Sequence, residues 1–291
     1  MEAICISDER ALLGESPVWS ASDNAIYWID ILSKRLHRTT LENGKTSTWN
    51  LPSCPGMIAM RRKGGLVVAL EDGLYEFSPL TGKCQLLVSI EADKDYNRPN
   101  DGKCDACGRL WLGTMNKVDP NRETGSFYRI DPDLTVTKIA SQYRIPNGIA
   151  WSPDNEIMYH ADTRKSVVWT YDFHLQSGQL SKQRDFFIFD RSDMGGVDGA
   201  AIDMEGGYWA AMYGGGQVVC RLPSGEIDHA VKLPVTQPTM PAFGGPDMTT
   251  LFVTSARQKL SDRMLSEQPM AGGLLAISTD TKGGPVHSFG G

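Results

Sequence analysis

The sequence predicts an all-β fold, a six-bladed β-propeller built from four-stranded antiparallel blades. Three observations predict it. Six short apolar strands recur, centred on Tyr27, Val67, Trp111, Tyr159, Trp209 and Phe252, with neighbours 40 to 50 residues apart. An interval of that length holds about four strands and their turns. Glycine turns subdivide the intervals at Asn43-Gly44, Thr81-Gly82, Ser177-Gly178 and Ser224-Gly225. Finally, Leu12–Asp30 (LLGESPVWSASDNAIYWID) and Ile145–Thr163 (IPNGIAWSPDNEIMYHADT) share one grammar: a polar group, an apolar run, a tight polar turn, then a strand. The regular period argues against a β-sandwich or a pair of small barrels.

The elements follow in order. Ile26-Tyr27-Trp28 opens the series, and Leu36–Asn50 (LHRTTLENGKTSTWN) after it reads as a hairpin with Asn43-Gly44 in a type I′ turn. Leu66-Val67-Val68 and Leu110-Trp111-Leu112 come next. Cys104 and Cys107 precede the latter in DGKCDACGRLW. A zinc site would need a second ligand pair, and no further CxxC or HxxxH exists, so this CxxC reads as a turn. Met158-Tyr159-His160 follows, with His160 a strand residue near the channel, then Tyr208-Trp209-Ala210 and Leu251-Phe252-Val253. Trp19, Trp28, Trp111, Trp151, Trp169 and Trp209 fall at strand-periodic places and suit the blade core. Ala3–Ser7 beside Val286–Phe289 is the expected closure of the ring.

Composition sets bounds. A chain of 291 residues, 41% hydrophobic and with 30 Gly and 16 Pro, fits one closed all-β domain over 1–291. Net charge is −6 and basic residues form no block, which excludes nucleic acid and anionic membranes as expected partners. No apolar run is long enough for a membrane span, and MEAICISDER lacks a signal pattern, so the expectation is a soluble, cytoplasmic protein. The six cysteines are then expected as free thiols. Radial closure protects strand edges, so a monomer or weak homo-oligomer is expected.

In a propeller the first strand of every blade lines the central channel, and equivalent loops meet at one mouth. Counting back 11 or 12 residues from each strand centre gives Glu15, Pro55, Asn100, Asn147, Asp198 and Met240. Four of the six bear side-chain oxygens. Two carboxylates crowded at one mouth would raise each other's pKa unless a cation intervened. Glu15 and Asp198, with the amide oxygen of Asn147, suit one divalent ion with open water positions, Ca²⁺, Mg²⁺ or Mn²⁺ by donor type, with Zn²⁺ also to be tested. Signatures of other chemistries, GxSxG, HExxH, a P-loop or a strand-linked GxGxxG, are absent.

Segments spread over the whole chain carry a family resemblance: GESPVW (Gly14–Trp19), RPNDGK (Arg98–Lys103), GRLWLGTM (Gly108–Met115), IPNGIAWSPD (Ile145–Asp154), VDGAAIDMEGGYWAA (Val197–Ala211) and TSARQ (Thr254–Gln258). Together they resemble the SMP-30/gluconolactonase family, also called regucalcin-like. The resemblance implies a six-bladed propeller that hydrolyses sugar lactones. It matches Glu15, Asn147 and Asp198 to the family's metal ligands, and Arg98 and Asn100 to residues that hold substrate oxygens, with Asp101 next to them in the same motif. Pro99 fills a variable position there, and the expected lid, Asn116–Gly125 (NKVDPNRETG), matches no family pattern.

The expected chemistry is metal-assisted hydrolysis of an aldonolactone to its aldonic acid, with Asp198 also accepting a proton from the attacking water. Alternatives are an anionic sugar lactone such as 6-deoxy-6-sulfogluconolactone, with Arg98 and a lid Lys117 or Arg122 supplying positive field, a phosphotriesterase-like esterase, and a non-enzymatic calcium-binding propeller.

Overall fold

The computed structural model describes all residues, Met1–Gly291, and contains six four-stranded antiparallel sheets and two short helices: a six-bladed β-propeller. The chain divides into two compact units of three blades each. The first comprises Met1–Asn50 and Phe189–Pro285, the second Leu51–Ile188 and Val286–Gly291.

In the first unit, β1 (Ala3–Cys5) precedes a blade of β2 (Gly14–Ser20), β3 (Ala25–Asp30), β4 (Arg35–Thr40) and β5 (Thr46–Asn50). The second unit holds three blades in succession. They are β6 (Met57–Met60), β7 (Leu66–Leu70), β8 (Gly73–Phe77) and β9 (Cys84–Ser89); β10 (Asn97–Cys104), β11 (Leu110–Asn116), β12 (Gly125–Ile130) and β13 (Val136–Tyr143); and β14 (Pro146–Trp151), β15 (Ile157–Asp162), β16 (Val167–His174) and β17 (Gln179–Ile188). The chain then returns to the first unit through α1 (Arg191–Met194), with β18 (Gly196–Ile202), β19 (Tyr208–Tyr213), β20 (Gln217–Arg221) and β21 (Ile227–Lys232), followed by β22 (Pro238–Gly244), β23 (Thr250–Ser255), α2 (Asp262–Glu267) and β24 (Leu275–Ser278).

The recurrent apolar triplets are the second strand of every blade. Those strands are covered on both faces, which is why they read as continuous apolar runs and not as alternation. The fourth strands are more open, β13 mostly half-buried and β17 largely exposed, and both are rich in Ser, Thr, Lys and Gln. All four glycine turns join third to fourth strands, and each glycine has positive φ. The Asn43-Gly44 turn departs from type I′. Only Gly44 has positive φ (66°), and the connection is five residues long, with the Gly44 N–H donating to Thr40 O.

Closure also differs from expectation. Ala3–Cys5 pairs with Leu275–Ile277 as the fourth strand of the last blade, so both chain ends of that blade lock one sheet. Val286–Gly291 joins the second unit instead, where Phe289 bridges Arg61. The N-terminal strand adds the third ladder of that sheet, and the tail instead donates from Phe289 N–H to Met60 O and from Gly290 N–H to Gly108 O.

Two turns explain the spacing D-x-x-G-x-x-W. Asp105 accepts from Trp111 Nε1 (2.9 Å), Arg109 Nε (2.7 Å) and the N–H groups of Cys107 and Arg109. Asp203 accepts from Trp209 Nε1 (2.7 Å) and the N–H groups of Glu205 and Gly207. The CxxC is therefore part of an Asp-capped turn, and all six cysteines are free thiols. Trp19, Trp28, Trp111, Trp151 and Trp209 are buried, and Trp169 is half-buried against the same aromatic cluster as Trp111 and Trp151.

His160 lies within the second unit's core, fully buried. It stacks on Phe127 (4.1 Å), beside Tyr143, and neither ring nitrogen has a hydrogen-bond partner. Burial holds its pKa down at about 3. His37, in the first unit, stacks on Trp28 (4.3 Å) but shares a hydrogen bond with Thr48 Oγ1 (2.9 Å).

Candidate active site

The candidate oxygens sit inside the first strands, where the expectation put them in loops before those strands. In five of the six first strands the pairing with the second strand slips by one residue at this point: between Glu15 and Val18, Pro99 and Gly102, Asn147 and Ala150, Val197 and Ala200, and Pro238 and Pro241. Each slip is a β-bulge, a device that bends a strand and re-aims a side chain. Glu15, Asn100, Asn147 and Asp198 all lie at or within these bulges. The sixth first strand, β6, pairs in regular register. It follows Pro55, one of the two apolar positions in the count. Met240, the other, lies in the β22 bulge and packs on Gly199, where a Cβ would come within 2.3 Å of Met240 Cγ. Only glycine fits after Asp198.

Glu15 and Asn147 share more than register. The residue following each has positive φ, Ser16 at 48° and Gly148 at 62°. An aspartate fifteen residues on, at the end of the second strand, pins the chain just ahead of each. Asp30 accepts from the N–H groups of Leu12 (2.9 Å) and Leu13 (3.2 Å). Asp162 accepts from those of Arg144 (2.9 Å) and Ile145 (3.2 Å). This brace is the physical content of the echo between Leu12–Asp30 and Ile145–Thr163. The corresponding position fifteen residues after Asp198 is Tyr213.

In the first unit Glu15 and Asp198 both act on that phenol. Burial pushes the Tyr213 pKa up to about 12; the hydrogen bond from Gln258 Nε2 (3.2 Å) opposes the rise, and the charges of Asp198 and Glu15 add to it. The two carboxylates therefore share one neighbourhood. Asp198 is buried, and half-buried Glu15 also accepts from the N–H of Ser16 (3.2 Å).

In the second unit Arg98, Asn100 and Asn147 form one directed chain. Arg98 Nη1 donates to Asn100 Oδ1 (2.9 Å), Asn100 Nδ2 to Asn147 Oδ1 (2.9 Å), and Asn147 Nδ2 to Thr163 Oγ1 (2.8 Å). Arginine can only donate, so it fixes the orientation of both amides downstream. Asn147 Oδ1 has a second lone pair besides the one that accepts from Asn100. Asp101, expected with Arg98 and Asn100, is buried, and its Oδ2 accepts from the N–H of Ile149 (3.1 Å) in the Asn147 bulge. Burial raises its pKa, while the Lys103 charge and backbone N–H groups oppose the rise. Asp101 thus braces the bulge that carries Asn147.

The expected lid is the connection between β11 and β12, and its charges are partnered. Lys117 pairs with Glu71 (3.2 Å), Arg122 with Asp119 (3.7 Å), and Glu123 with Arg144 and Lys165. A cleft of about 330 Å³ beside it in the second unit is lined by Glu71, Glu91, Lys94, Asp95, Asn97 and Lys117 among others. No helix is long and apolar enough to cross a membrane.

Sequence reading overlooked Tyr213, Gln258, Thr163 and the bracing aspartates. The common offset of fifteen residues from Glu15, Asn147 and Asp198 is the signal that would have found Asp30, Asp162 and Tyr213 together. Gln258 lies in a quoted motif, TSARQ, without a role attached.

Comparison with known proteins agrees with this architecture. The family model described as SMP-30/Gluconolactonase/LRE-like region matches residues 13–257. A 6-deoxy-6-sulfogluconolactonase of Pseudomonas putida is 35% identical over 287 residues, covering 99% of this chain and 98% of that protein. Regucalcin of Gallus gallus is 35% identical over 296 residues, covering 99% and 98%. The crystal structure of a calcium-binding protein, regucalcin, from Agrobacterium tumefaciens superposes with a TM-score of 0.92 at 31% identity, covering 98% of this chain and 96% of that one. The chain belongs to the SMP-30/gluconolactonase/LRE-like family.

Proposed function

We propose that the protein is a divalent-metal-dependent lactonase that opens a sugar lactone to the corresponding aldonic acid. The observation that carries this reading is the repeated bulge. Three blades present Glu15, Asn147 and Asp198 in first-strand bulges, Glu15 and Asn147 at the residue that opens the bulge and Asp198 one residue on, and the two carboxylates charge a single phenol. A lactonase among the relatives at 35% identity supports the same reading.

Glu15, Asn147 and Asp198 would hold one ion. Two carboxylates and an amide oxygen form a hard donor set that suits Ca²⁺, Mg²⁺ or Mn²⁺, and carboxylate oxygens also accept Zn²⁺. The second lone pair on Asn147 and the mutual repulsion of the carboxylates both fit a cation. When bound, the ion supplies Lewis-acid polarisation of the ester carbonyl, worth several kcal/mol.

The chain's own residues do the rest. Arg98 and Asn100 hold substrate hydroxyls, with Asp101 behind them keeping the Asn147 bulge in place. Asp198 accepts a proton from the attacking water on a carboxylate oxygen as the acyl–oxygen bond breaks, and the ring oxygen leaves as a hydroxyl after taking up a proton. Half-buried Tyr213 stays protonated through neutral pH and offers its hydroxyl beside both carboxylates.

A second reading, a lactone carrying an anionic group, is favoured by the Pseudomonas putida relative, whose name specifies a sulfonated sugar lactone. Arg98 is the candidate cation for it, from its place beside Asn100, while Lys117 and Arg122 pair with carboxylates. The test is proton release from neutral and sulfonated lactones by chelator-stripped protein, with Ca²⁺, Mg²⁺, Mn²⁺ or Zn²⁺ added back. Metal-restored hydrolysis that disappears in Asp198→Ala is expected, and the faster lactone class decides between the readings. Metal binding without turnover would sink the lactonase reading in favour of a calcium-binding propeller, and turnover of phosphotriesters alone would favour an esterase.

A further inference from the structure

The first unit contains a second cluster of ligand-type side chains, apart from the first-strand bulges. A ring nitrogen of His229, a carboxylate oxygen of Asp228 and Sγ of Cys220 all lie within 4.8 Å of one another. They are gathered by the sheet. Trp209, Cys220 and His229 are direct cross-strand partners on β19, β20 and β21, so their side chains share one face. Asp228 would ordinarily point to the other face. The pairing slips between Cys220 and Arg221, whose partners are His229 and Ile227, and this bulge brings Asp228 beside His229.

The local hydrogen bonds suit a metal. Asp228 Oδ2 lies 2.7 Å from His229 Nδ1 and accepts its proton. That fixes the tautomer with a lone pair on Nε2, as carboxylates do behind metal-bound histidines. Nε2 is out of contact with solvent and has no hydrogen-bond partner. The ring is held edge-on to Trp209, with centroids 4.7 Å apart. Behind Cys220 stands Asp203, its orientation fixed by three donors; a Cβ on Gly207 would touch both Asp203 Oδ2 (2.6 Å) and Cys220 Sγ (2.9 Å). The Asp228 and His229 side chains are 49% and 34% exposed, which leaves an ion a way in.

We propose that Cys220 and His229, backed by Asp228, form a second cation site that takes a thiophilic divalent ion of the Zn²⁺ class. Sulfur and imidazole donors select that class over the hard ions suited to the bulge oxygens. Tetrahedral zinc holds sulfur and nitrogen ligands about 3.5 Å apart, a separation within the span of this cluster. The balance is simple: the Cys220 S–H bond breaks, its proton goes to solvent, and the sulfur binds the ion. Burial and the charges of Asp203, Asp228 and Glu205 push the free thiol up to about 12, so loading releases one proton per ion and strengthens with pH.

The test is a Co²⁺ titration of the metal-stripped protein followed by near-ultraviolet absorption. One equivalent of a thiolate-to-cobalt charge-transfer band is expected, lost in Cys220→Ser and in His229→Gln and kept in Asp198→Ala. Cys220 is buried, so the half-exposed His229→Gln guards against loss through misfolding; lactone hydrolysis should be unchanged in it. In an Asp198→Ala background, Zn²⁺ should raise Tm, and adding His229→Gln should abolish the rise. Absence of the band at saturating Co²⁺, its survival in Cys220→Ser, or an equal Zn²⁺-induced rise with and without His229 would each overturn the proposal.

Discussion

The two three-blade units use the same bulge for different chemistry. In the first unit it carries charge: Glu15 and Asp198, both acting on Tyr213. In the second it carries amides, Asn100 and Asn147, in a directed hydrogen-bond chain from the Arg98 cation to Thr163. One backbone device thus serves two purposes, because a bulge determines where a side chain points and the side chain determines what it does there. The straight strand β6 is the control within the fold: no bulge, an apolar first strand, and no candidate residue.

The comparison predicts a graded set of effects. Removing a carboxylate from the first unit should hurt most. Glu15→Ala and Asp198→Ala should each lower kcat/KM for lactone hydrolysis by about a thousandfold or more, since a Lewis-acid contribution of several kcal/mol is lost at about 1.4 kcal/mol per decade. A loss under tenfold in either, with the fold intact by circular dichroism, would break the assignment of charge to that unit.

Changes in the second unit should be milder. Asn147→Ala removes a neutral ligand and should weaken apparent metal affinity by at least the about 10- to 100-fold seen when a residue that hydrogen-bonds to a metal ligand is removed. Arg98→Ala should act mainly on KM. It should also loosen the metal slightly, because without a donor-only neighbour Asn100 is free to turn its amide. An effect on kcat alone would show that Arg98 does not hold the substrate.

The two buried histidines give a matched pair for pH. Burial holds His37 at about 4 and His160 at about 3, both below the ordinary 6.5. The unfolded chain therefore binds more protons than the folded one below pH 6.5. Each histidine's contribution is fully present above 6.5 and is lost as pH falls toward its folded value, by on the order of a few kcal/mol. Urea midpoints of His160→Phe should fall less between pH 6.5 and 4 than those of the wild type, with no cost at pH 7, because neither ring nitrogen has a partner to lose. His37→Phe should show a similar gain in acid but forfeit about 1 kcal/mol from the Thr48 hydrogen bond. Identical acid limbs in all three proteins would refute the pairing.

The smallest effect concerns the residue after Glu15 or Asn147. Gly148→Ala should cost about 1–2 kcal/mol, since φ of 62° crowds a Cβ, whereas Ser16→Gly at the equivalent position should change stability by less than about 1 kcal/mol. Thermal or chemical denaturation measures both, and a larger cost at Ser16 would mean that its side chain braces the bulge.

Much of this was legible in the residues. Strand periodicity gave the blade number because a strand covered on both faces must be apolar throughout, as in AIYWID and LWLGTMN. The glycine turns were located correctly, although the Asn43-Gly44 turn type was not, because loop length depends on where each ladder ends. The ring closure was misread for the same reason: pairing partners 270 or more residues apart leave no local mark. Counting back from strand centres landed Glu15, Asn100, Asn147 and Asp198 in bulges because each of these first strands joins its second by a connection of only four or five residues.

By itself, then, the sequence determined the repeat, the blade core and the set of oxygen-bearing positions, all of which are local or periodic properties. Tertiary structure alone decided that these positions are bulges, that Asp30 and Asp162 brace them, that Arg98 orients two amides, and that Cys220, Asp228 and His229 lie together. Those depend on strand register, and a one-residue slip in register is invisible in composition yet changes which side chains meet.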